Sequence, residues 1–327
     1  MNIRQNNRWN IPTIIVNLRR GENVESIHRV HAVISDAKGR ILMSAGDSQY
    51  KAFIRSALKP FQSLTFISSG AADAINCGEK GIAISCGSHS GESFHAREAF
   101  KILWNSKIEL QNLKCSEGNK STAILKHNCS GKHAAFLSTC KKMGWSLSNY
   151  LDIDHPLQIA ITSKISEILK IKRSALREAR DDCGSPTFLL KLSQIALLYS
   201  NLTSSNNAEM EKICRAMLAY PEFVAGEGMF DTELMKRSHG QIISKGGSEG
   251  IQCMGKVGAG IGIAIKVEDG SKRAKHAVAL HILKQLEWIT PIGLQELEDK
   301  IFKLSPAVTL EVEGSLRFQE NQKKPDN

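Results

Sequence analysis

Apolar and polar residues alternate near both ends of the chain, and this period of two predicts β-strands. In residues 25–47, "ESIHRVHAVISDAKGRILMSAGD", the alternation continues on both sides of the turn-forming residues 36–39 and predicts a hairpin. Residues 240–270 contain a second set of short strands separated by glycine turns. Within it, "GAGIGIAI" places its glycines alternately along a strand, which indicates close backbone neighbours and not a dinucleotide-binding turn.

The middle of the chain changes to a helical period. A helix is predicted from Ser56 onward, with Pro60 in its first turn, and another over residues 272–289. The other segments with helical spacing are "HAREAFKILWNSK", "HAAFLSTCKKMG", "HPLQIAITSKISEILK", "SPTFLLKLSQIALLYSNL" and "NAEMEKICRAMLAY".

Strands at both ends with helices between them predict an α+β fold. We expect the N- and C-terminal strands, in about 12–55 and 240–318, to form one antiparallel sheet. A helical subdomain, about 56–239, is inserted between them, and the whole chain 1–327 is predicted to be a single domain. A cleft between sheet and helices is the natural place for a site.

Composition narrows the class of function. The net charge of +10 raises the question of nucleic-acid binding, but the basic residues are interleaved with acidic ones and only 6% of residues are aromatic. No apolar run approaches the roughly 20 residues of a membrane helix. The apolar segment "IPTIIVNL" is short and is followed by two arginines, so we predict a strand there, not a secretory signal. We therefore expect a cytoplasmic enzyme without nucleic-acid or membrane partners.

The chain has eight cysteines, and none forms a CxxC pair, so reduced thiols are expected. Two of them have polar neighbours, Cys129 and Cys183. The stretch "NCSGKHAAF" places Cys129, Lys132 and His133 within five positions. This pattern is compatible with a loop that runs into a helix around a buried cysteine, and equally with a binding site.

The pattern Ser-x-x-Lys is typical of serine acyl-enzymes, because positions i and i+3 share one face of a helix. The lysine must lose its proton to act as a base, which requires burial or a second cation nearby. Only Ser56–Lys59 follows an apolar segment at a predicted helix start. The pattern occurs four times: Ser35–Lys38, Ser48–Lys51, Ser56–Lys59 and Ser138–Lys141.

Two other polar stretches have both a structural and a chemical interpretation. "SCGSHSGESFH", which contains Ser88 and His89, is compatible with a serine-rich helix cap or with part of a site. "ISKGGSEG" places Lys245 on a strand before two glycines. That arrangement is common at a sheet edge, and penicillin-recognising enzymes carry a similar strand beside the nucleophile.

Taken together, the polar motifs resemble the L-asparaginase II family of the rhizobial type, from about residue 13 to about residue 318. The resemblance implies a fold similar to that of serine β-lactamases and penicillin-binding proteins. It also implies hydrolysis of L-asparagine to L-aspartate and ammonia by two serine–lysine pairs, Ser56 with Lys59 and Ser88 with Lys245. The motifs that carry it are "RRGENVESIHRVHAV", "FIRSALKPFQ", "SCGSHSGESFH", "HNCSGKHAAFL", "DIDHPLQ", "DDCGSPTF" and "GEGMFDTELM".

The resemblance further implies a zinc ion, Zn2+, held by Cys129, Lys132 and Cys183. This chain has Asp182 where the family usually has glycine, so we expect a changed backbone angle or an added carboxylate beside the metal. The residues expected to bind substrate or support the metal are Arg55, His89, His133 and Asp181.

We predict that Ser56 attacks the side-chain amide while Lys59 takes its proton, with Ser88 as the second choice of nucleophile. Glutamine is a competing substrate, because one methylene changes binding by only about 1–3 kcal/mol. The alternatives are a β-lactam-recognising acyl transferase and a non-catalytic zinc or thiol protein. By analogy with the family, a homodimer is expected.

Overall fold

The computed structural model describes residues 11–115 and 122–319. The terminal residues 1–10 and 320–327 of the predicted single domain, and the segment 116–121, lie outside the described residues.

The described chain begins and ends in strands, with most of its helices between them. The strands are β1 (Ile14–Arg20), β2 (Asn23–Asp36), β3 (Ile41–Ala45), β4 (Lys51–Phe53), β5 (Arg177–Arg180), β6 (Pro186–Lys191), β7 (Ile242–Gly246), β8 (Ile251–Lys256), β9 (Ile261–Val267), β10 (Val308–Glu313) and β11 (Arg317–Phe318). The α-helices are α1 (Lys59–Ser68), α2 (Ala71–Ala74), α3 (Glu79–Ser85), α4 (Ser93–Asn105), α5 (Ser130–Met143), α6 (Pro156–Leu169), α7 (Leu192–Leu202), α8 (Ala208–Ala219), α9 (Pro221–Val224), α10 (Phe230–Arg237), α11 (Lys272–Gln285) and α12 (Pro291–Ile301). Short 3-10 turns lie at Arg55–Leu58, Leu110–Asn112, Thr122–Lys126 and Arg173–Ala175.

The larger sheet joins the two ends of the chain. Six of its strands follow the order β10-β1-β2-β9-β8-β7, and β3 pairs with β2 and β11. All of these pairs are antiparallel, and the pairing of β2 with β9 sets Val30 opposite Val267 and Ala32 opposite Ile265. The predicted antiparallel sheet from both chain ends is confirmed, and so is the hairpin, in which Gly39 N–H donates to Asp36 O at 3.0 Å. The predicted similarity to serine β-lactamases stays a prediction.

Helices cover both faces of this sheet. Helix α7 packs on one face and belongs to an apolar core shared with α1, α5 and α8. Helices α11 and α12 close a second core on the opposite face. The contact of β9 with α7 is so close that a Cβ at Gly262 would lie 2.2 Å from Ala196 O. This explains the need for glycine inside the strand, as the sequence pattern indicated.

The helix predicted over residues 185–202 is wrong in its first third. Pro186–Lys191 forms β6 instead, and helix α7 begins only at Leu192. Strand β6 pairs with β4 and β5 in a second, three-stranded sheet that the sequence pattern did not predict. A short continuous apolar run fits a buried strand and a buried helix equally well, so the pairing with distant strands decides its conformation.

No helix within residues 11–115 and 122–319 is long and apolar enough to cross a membrane.

Candidate active site

The first serine lies on a tight turn between the small sheet and helix α1. Ser56 belongs to the 3-10 turn Arg55–Leu58, and Lys59 begins α1 with a fully buried side chain. The Lys59 Nζ donates to Gly87 O at 2.5 Å, Ser88 Oγ at 2.9 Å and Asn128 O at 3.3 Å. Among the hydrogen bonds of the described residues, none involves the Ser56 hydroxyl. The expected pairing of Ser56 with Lys59 therefore stays a prediction.

The second serine lies in the loop that follows helix α3. The Ser88 N–H donates to Val224 O at 2.7 Å, which fixes the backbone of this loop against α9. The preceding Gly87 is packed so tightly that a Cβ there would lie 2.7 Å from Phe223 O. These contacts hold the Ser88 hydroxyl at a defined position between two lysines.

The second of these lysines comes from the large sheet. Lys245 lies on β7 and is only 1% exposed, and its Nζ donates to Ser88 Oγ at 3.0 Å and to Gly246 O at 2.7 Å. Burial lowers the pKa of Lys245 to about 8, and the charge of Lys59 acts in the same direction against the Asp231 carboxylate. One hydroxyl is thus contacted by two buried amines, and the pKa of one of them lies near the physiological range.

A cavity of about 320 Å³ opens beside these groups. Ser56, Ser88, His89 and Lys245 line it, together with Asn128 and the glycine-rich loop 246–250. The structure therefore brings three of the four predicted catalytic side chains to one pocket wall, with Lys59 buried directly behind Ser88.

The expected substrate anchors Arg55 and Asp181 bind each other. Arg55 Nε donates to Asp181 Oδ1 at 2.7 Å, and Arg55 Nη2 donates to Asp182 Oδ2 at 2.6 Å. The described lining of the cavity includes neither Arg55 nor Asp181. Asp182 is not among the described residues with positive φ, so the expected backbone strain is absent there, and the added carboxylate serves Arg55.

His89 lies in the cavity wall but is packed as a neutral ring. Its Nε2 is 3.1 Å from Ser130 Oγ, its Nδ1 accepts from Gly91 N–H at 3.2 Å, and the ring stacks on His95. Burial lowers the pKa of His89 strongly. This ring therefore shapes the pocket as a neutral group.

The three predicted metal ligands converge in one buried cluster. Lys132 Nζ, at the start of α5, lies 3.1 Å from Cys183 Sγ and donates to Ser185 Oγ at 3.0 Å. A hydrogen bond from the Cys129 thiol and the positive charge of Lys132 lower the pKa of Cys183, while the pKa of Cys129 rises. The cluster thus brings two sulfur atoms and an amine together, with no third His, Cys, Asp or Glu side chain completing a metal-binding group among the described residues.

His133 borders the same cluster from helix α5. Its Nδ1 lies 2.8 Å from the Tyr150 hydroxyl. Its Nε2 is fully buried next to Cys183, with which it interacts favourably. His133 therefore contributes to the lowered pKa of Cys183.

Several groups around the serines were not predicted from the sequence. The carbonyl oxygens of Gly87 and Asn128 hold Lys59, and backbone acceptors leave no signal in the residue types. Asp231, on α10, lies behind Lys245, although its motif "GEGMFDTELM" was recognised only as part of the resemblance.

Comparison with known protein families gives a match over most of the chain. The family model described as L-asparaginase II matches residues 16–318 of the chain. No curated protein matches the chain.

Among solved structures, the fold is similar to two crystal structures of a protein named Mglu, one in its native form and one in its glutamate form. Each shares 12% sequence identity with the chain at a TM-score of 0.40. The matches cover 79% and 80% of this chain, but only 64% and 61% of the other chains. The chain thus spans less than two thirds of the length of these structures, and similarity at this level carries no argument about its function.

Proposed function

The chain belongs to the L-asparaginase II family, and from this membership and the serine–lysine pocket we propose that it hydrolyses L-asparagine to L-aspartate and ammonia. The observation that carries the proposal is the Ser88 hydroxyl, held at 2.9 Å by Lys59 and at 3.0 Å by Lys245 beside a cavity that also contains Ser56. Two amines at one hydroxyl repel each other's charge, which favours the loss of one proton and supplies a base.

In this proposal Ser56 is the nucleophile. Its hydroxyl faces the cavity without a hydrogen bond to any described residue, and its N–H has no acceptor in a neighbouring element of the described chain. A free N–H at the nucleophile can stabilise the oxyanion that forms when Ser56 Oγ attacks the amide carbon. The Ser88 N–H, in contrast, is already bound to Val224 O.

The lysines and Ser88 then move the protons. To act as the base, Lys59 must first lose one of the three protons that it donates to Gly87 O, Ser88 Oγ and Asn128 O. It then takes the proton of Ser56 and returns it through Ser88 Oγ to the amide nitrogen, so the carbon–nitrogen bond breaks and ammonia leaves. Charged Lys245 donates to Ser88 and stabilises negative charge on it during this transfer. Water then hydrolyses the aspartyl ester and regenerates Ser56.

Ser88 as nucleophile is the alternative within the same chemistry. It is favoured by the direct contact of both amines with the Ser88 Oγ. The two assignments differ in which oxygen becomes acylated, and labelling distinguishes them.

Treatment with 5-diazo-4-oxo-L-norvaline, a reactive asparagine analogue, is expected to label Ser56, as read by peptide mass spectrometry. Ser56→Ala should lower kcat by at least about 10³-fold, because the attacking oxygen is lost. Ser88→Ala should retain slow acylation of Ser56. As a matched control, Ser48→Ala, in another Ser-x-x-Lys sequence, should keep wild-type activity. Label on Ser88, with none on Ser56, would favour the alternative.

Asparagine is proposed above glutamine on the family description alone. The competing function, a β-lactam-recognising acyl transferase, would show covalent labelling of the same pocket by a fluorescent penicillin. Ammonia release is measured with asparagine, with glutamine, and with asparagine plus penicillin. The first two readings compare the two amide substrates, and the third shows whether penicillin occupies the same pocket.

We further propose that Cys129, Lys132 and Cys183 hold a zinc ion. The residues fit, because thiolates and nitrogen donors suit zinc and the three side chains converge in one buried cluster. Lys132 must be neutral to coordinate, and the ion would favour that form. When bound, zinc would supply a fixed positive charge that orients the substrate.

Elemental analysis of the purified protein is expected to give about one zinc per chain, and Cys183→Ser should lose it, since one of two thiolate ligands is removed. A chelator should lower the melting temperature of the wild type but not of Cys183→Ser. Cys140→Ser, which removes another buried thiol on α5, should keep its zinc. Metal-free wild-type protein, or full zinc content in Cys183→Ser, would refute the site.

A further inference from the structure

Asp231 is a buried carboxylate on helix α10, which packs against β7, the strand that carries Lys245. Its Oδ1 accepts from Ser244 Oγ at 2.7 Å and from Gln252 Nε2 at 2.8 Å, and its Oδ2 accepts from Gly246 N–H at 2.8 Å. The side chain is 8% exposed. A buried carboxylate is costly unless it is fully paired, so this arrangement indicates a specific role.

The partners of Asp231 belong to the strand end that carries Lys245. Gly246 donates its N–H to Asp231 and accepts from Lys245 Nζ with its carbonyl oxygen at 2.7 Å. The next residue, Gly247, is held from the same side by Lys275, whose Nζ donates to Gly247 O at 2.9 Å. Asp231 and Lys275 therefore fix the backbone at Gly246 and Gly247, next to the carbonyl oxygen that accepts from Lys245 Nζ.

This strand end also borders the turn that carries Ser56. A Cβ added at Gly247 would lie 3.0 Å from Ile54 O and 3.4 Å from the Arg55 Cβ. A shift of Gly246 or Gly247 would therefore move the Lys245 amine relative to Ser88 and the pocket wall relative to Ser56.

The electrostatic surroundings of Lys245 point to the same residue. The charged or titratable groups that face it are Lys59 from α1, Asp231 from α10, Lys275 from α11 and Cys129 before α5. Burial opposes ionisation of Asp231, but Lys245, the Gly246 N–H, Ser244 and Lys275 together lower its pKa, so it is an anion. The negative charge of Asp231 thus partly offsets the positive charges of the lysines around Ser88.

We propose that Asp231 is a positioning residue that holds the Lys245 amine on the Ser88 hydroxyl through the backbone of Gly246, and that Lys275 holds the same strand end at Gly247. The consequence for catalysis rests on the function proposed above. The effect of Asp231 on the Lys245 amine does not rest on the proposed function. The position of the amine and its part in catalysis can therefore be tested separately.

The amine can be titrated without substrate. Competitive labelling with acetic anhydride across pH 6–11, with the label on Lys245 read by peptide mass spectrometry, gives the pH of half-labelling. In Asp231→Asn this pH should fall by at least about 0.5, because the anion that favours the charged amine is gone. In Lys275→Met it should rise, because a repelling cation is gone.

Glu233→Gln is the matched control. Glu233 is another buried carboxylate on α10, but it is paired with Arg237 and with Lys300, away from Lys245. Its variant should lose stability without any change in the labelling of Lys245.

Steady-state ammonia release supplies the second measurement. In Asp231→Asn, kcat should fall about 10- to 100-fold with little change in KM, and the alkaline limb of the kcat profile should move to lower pH.

A wild-type chain without amidase activity would refute the proposed function and leave the labelling test intact. An unchanged half-labelling pH in Asp231→Asn would overturn the role of Asp231. If Asp231→Asn does not fold, an unchanged or lowered value in Lys275→Met alone does so.

Discussion

Arg55 precedes Ser56 in the left-handed region of backbone conformation, with φ of 51°, which residues other than glycine rarely adopt. Such strain persists only where the surroundings impose it. Here the Arg55 N–H donates to Thr187 Oγ1 at 3.1 Å, and the guanidinium is held by Asp181. The strained residue therefore turns the chain so that Ser56 lies at the cavity, while its side chain is held by Asp181 and Asp182. Its predicted contact with substrate stays a prediction.

Asp182, the residue that stands where the family usually has glycine, should contribute little to stability. Its side chain is 87% exposed, so its ion pair with Arg55 is screened by solvent. Asp182→Gly is expected to change the free energy of unfolding by less than about 1 kcal/mol. Asp181→Ala should cost about 1–3 kcal/mol, because it leaves a largely buried guanidinium underpaired. Urea denaturation measures both, and equal losses would contradict this assignment.

At the scale of elements, the site depends on how closely helix α7 lies on the large sheet. Strand β9 contacts α7 through Gly262, and β8 contacts the end of the same helix through Gly255. Helix α7 also donates the Tyr199 hydroxyl to Ala57 O at 2.7 Å, within the turn that carries Ser56. The large sheet, α7 and the turn that carries Ser56 are therefore packed directly on one another. A change in the distance between the sheet and α7 is expected to displace Ser56 in the pocket.

Gly262→Ala tests this packing. The added methyl would lie 2.2 Å from Ala196 O and 2.3 Å from Ser200 N, so β9 and α7 must separate. We expect a loss of about 2–3 kcal/mol in the free energy of unfolding, measured in urea, together with lower amidase activity. Gly78→Ala is the control, since no atom lies within 4 Å of its added Cβ, and it should cost less than about 1 kcal/mol. Similar stability of the two variants would show that α7 moves freely.

At the scale of the molecule, the pocket exists because the C-terminal strands pair with the N-terminal strands after the long, mostly helical middle of the chain. Lys59 meets Ser88 across 29 positions of the sequence, and Lys245 meets the same hydroxyl across 157. The two apolar cores on opposite faces of the sheet hold these segments in place. The single-domain boundaries and the homodimer stay predictions.

The sequence by itself determined the local elements and the types of chemical group. Periodicity sufficed for the β2–β3 hairpin and the strands near the chain ends, because the alternation of apolar and polar residues is visible within each segment. The long polar motifs sufficed for the family and for most of the candidate residues. Only the tertiary structure decided that both lysines meet at Ser88, that Arg55 is occupied by Asp181, and that residues 186–191 form a strand. Asp231 was likewise found only through its contacts. Each of these depends on pairing between distant segments, which residue spacing along one segment does not encode.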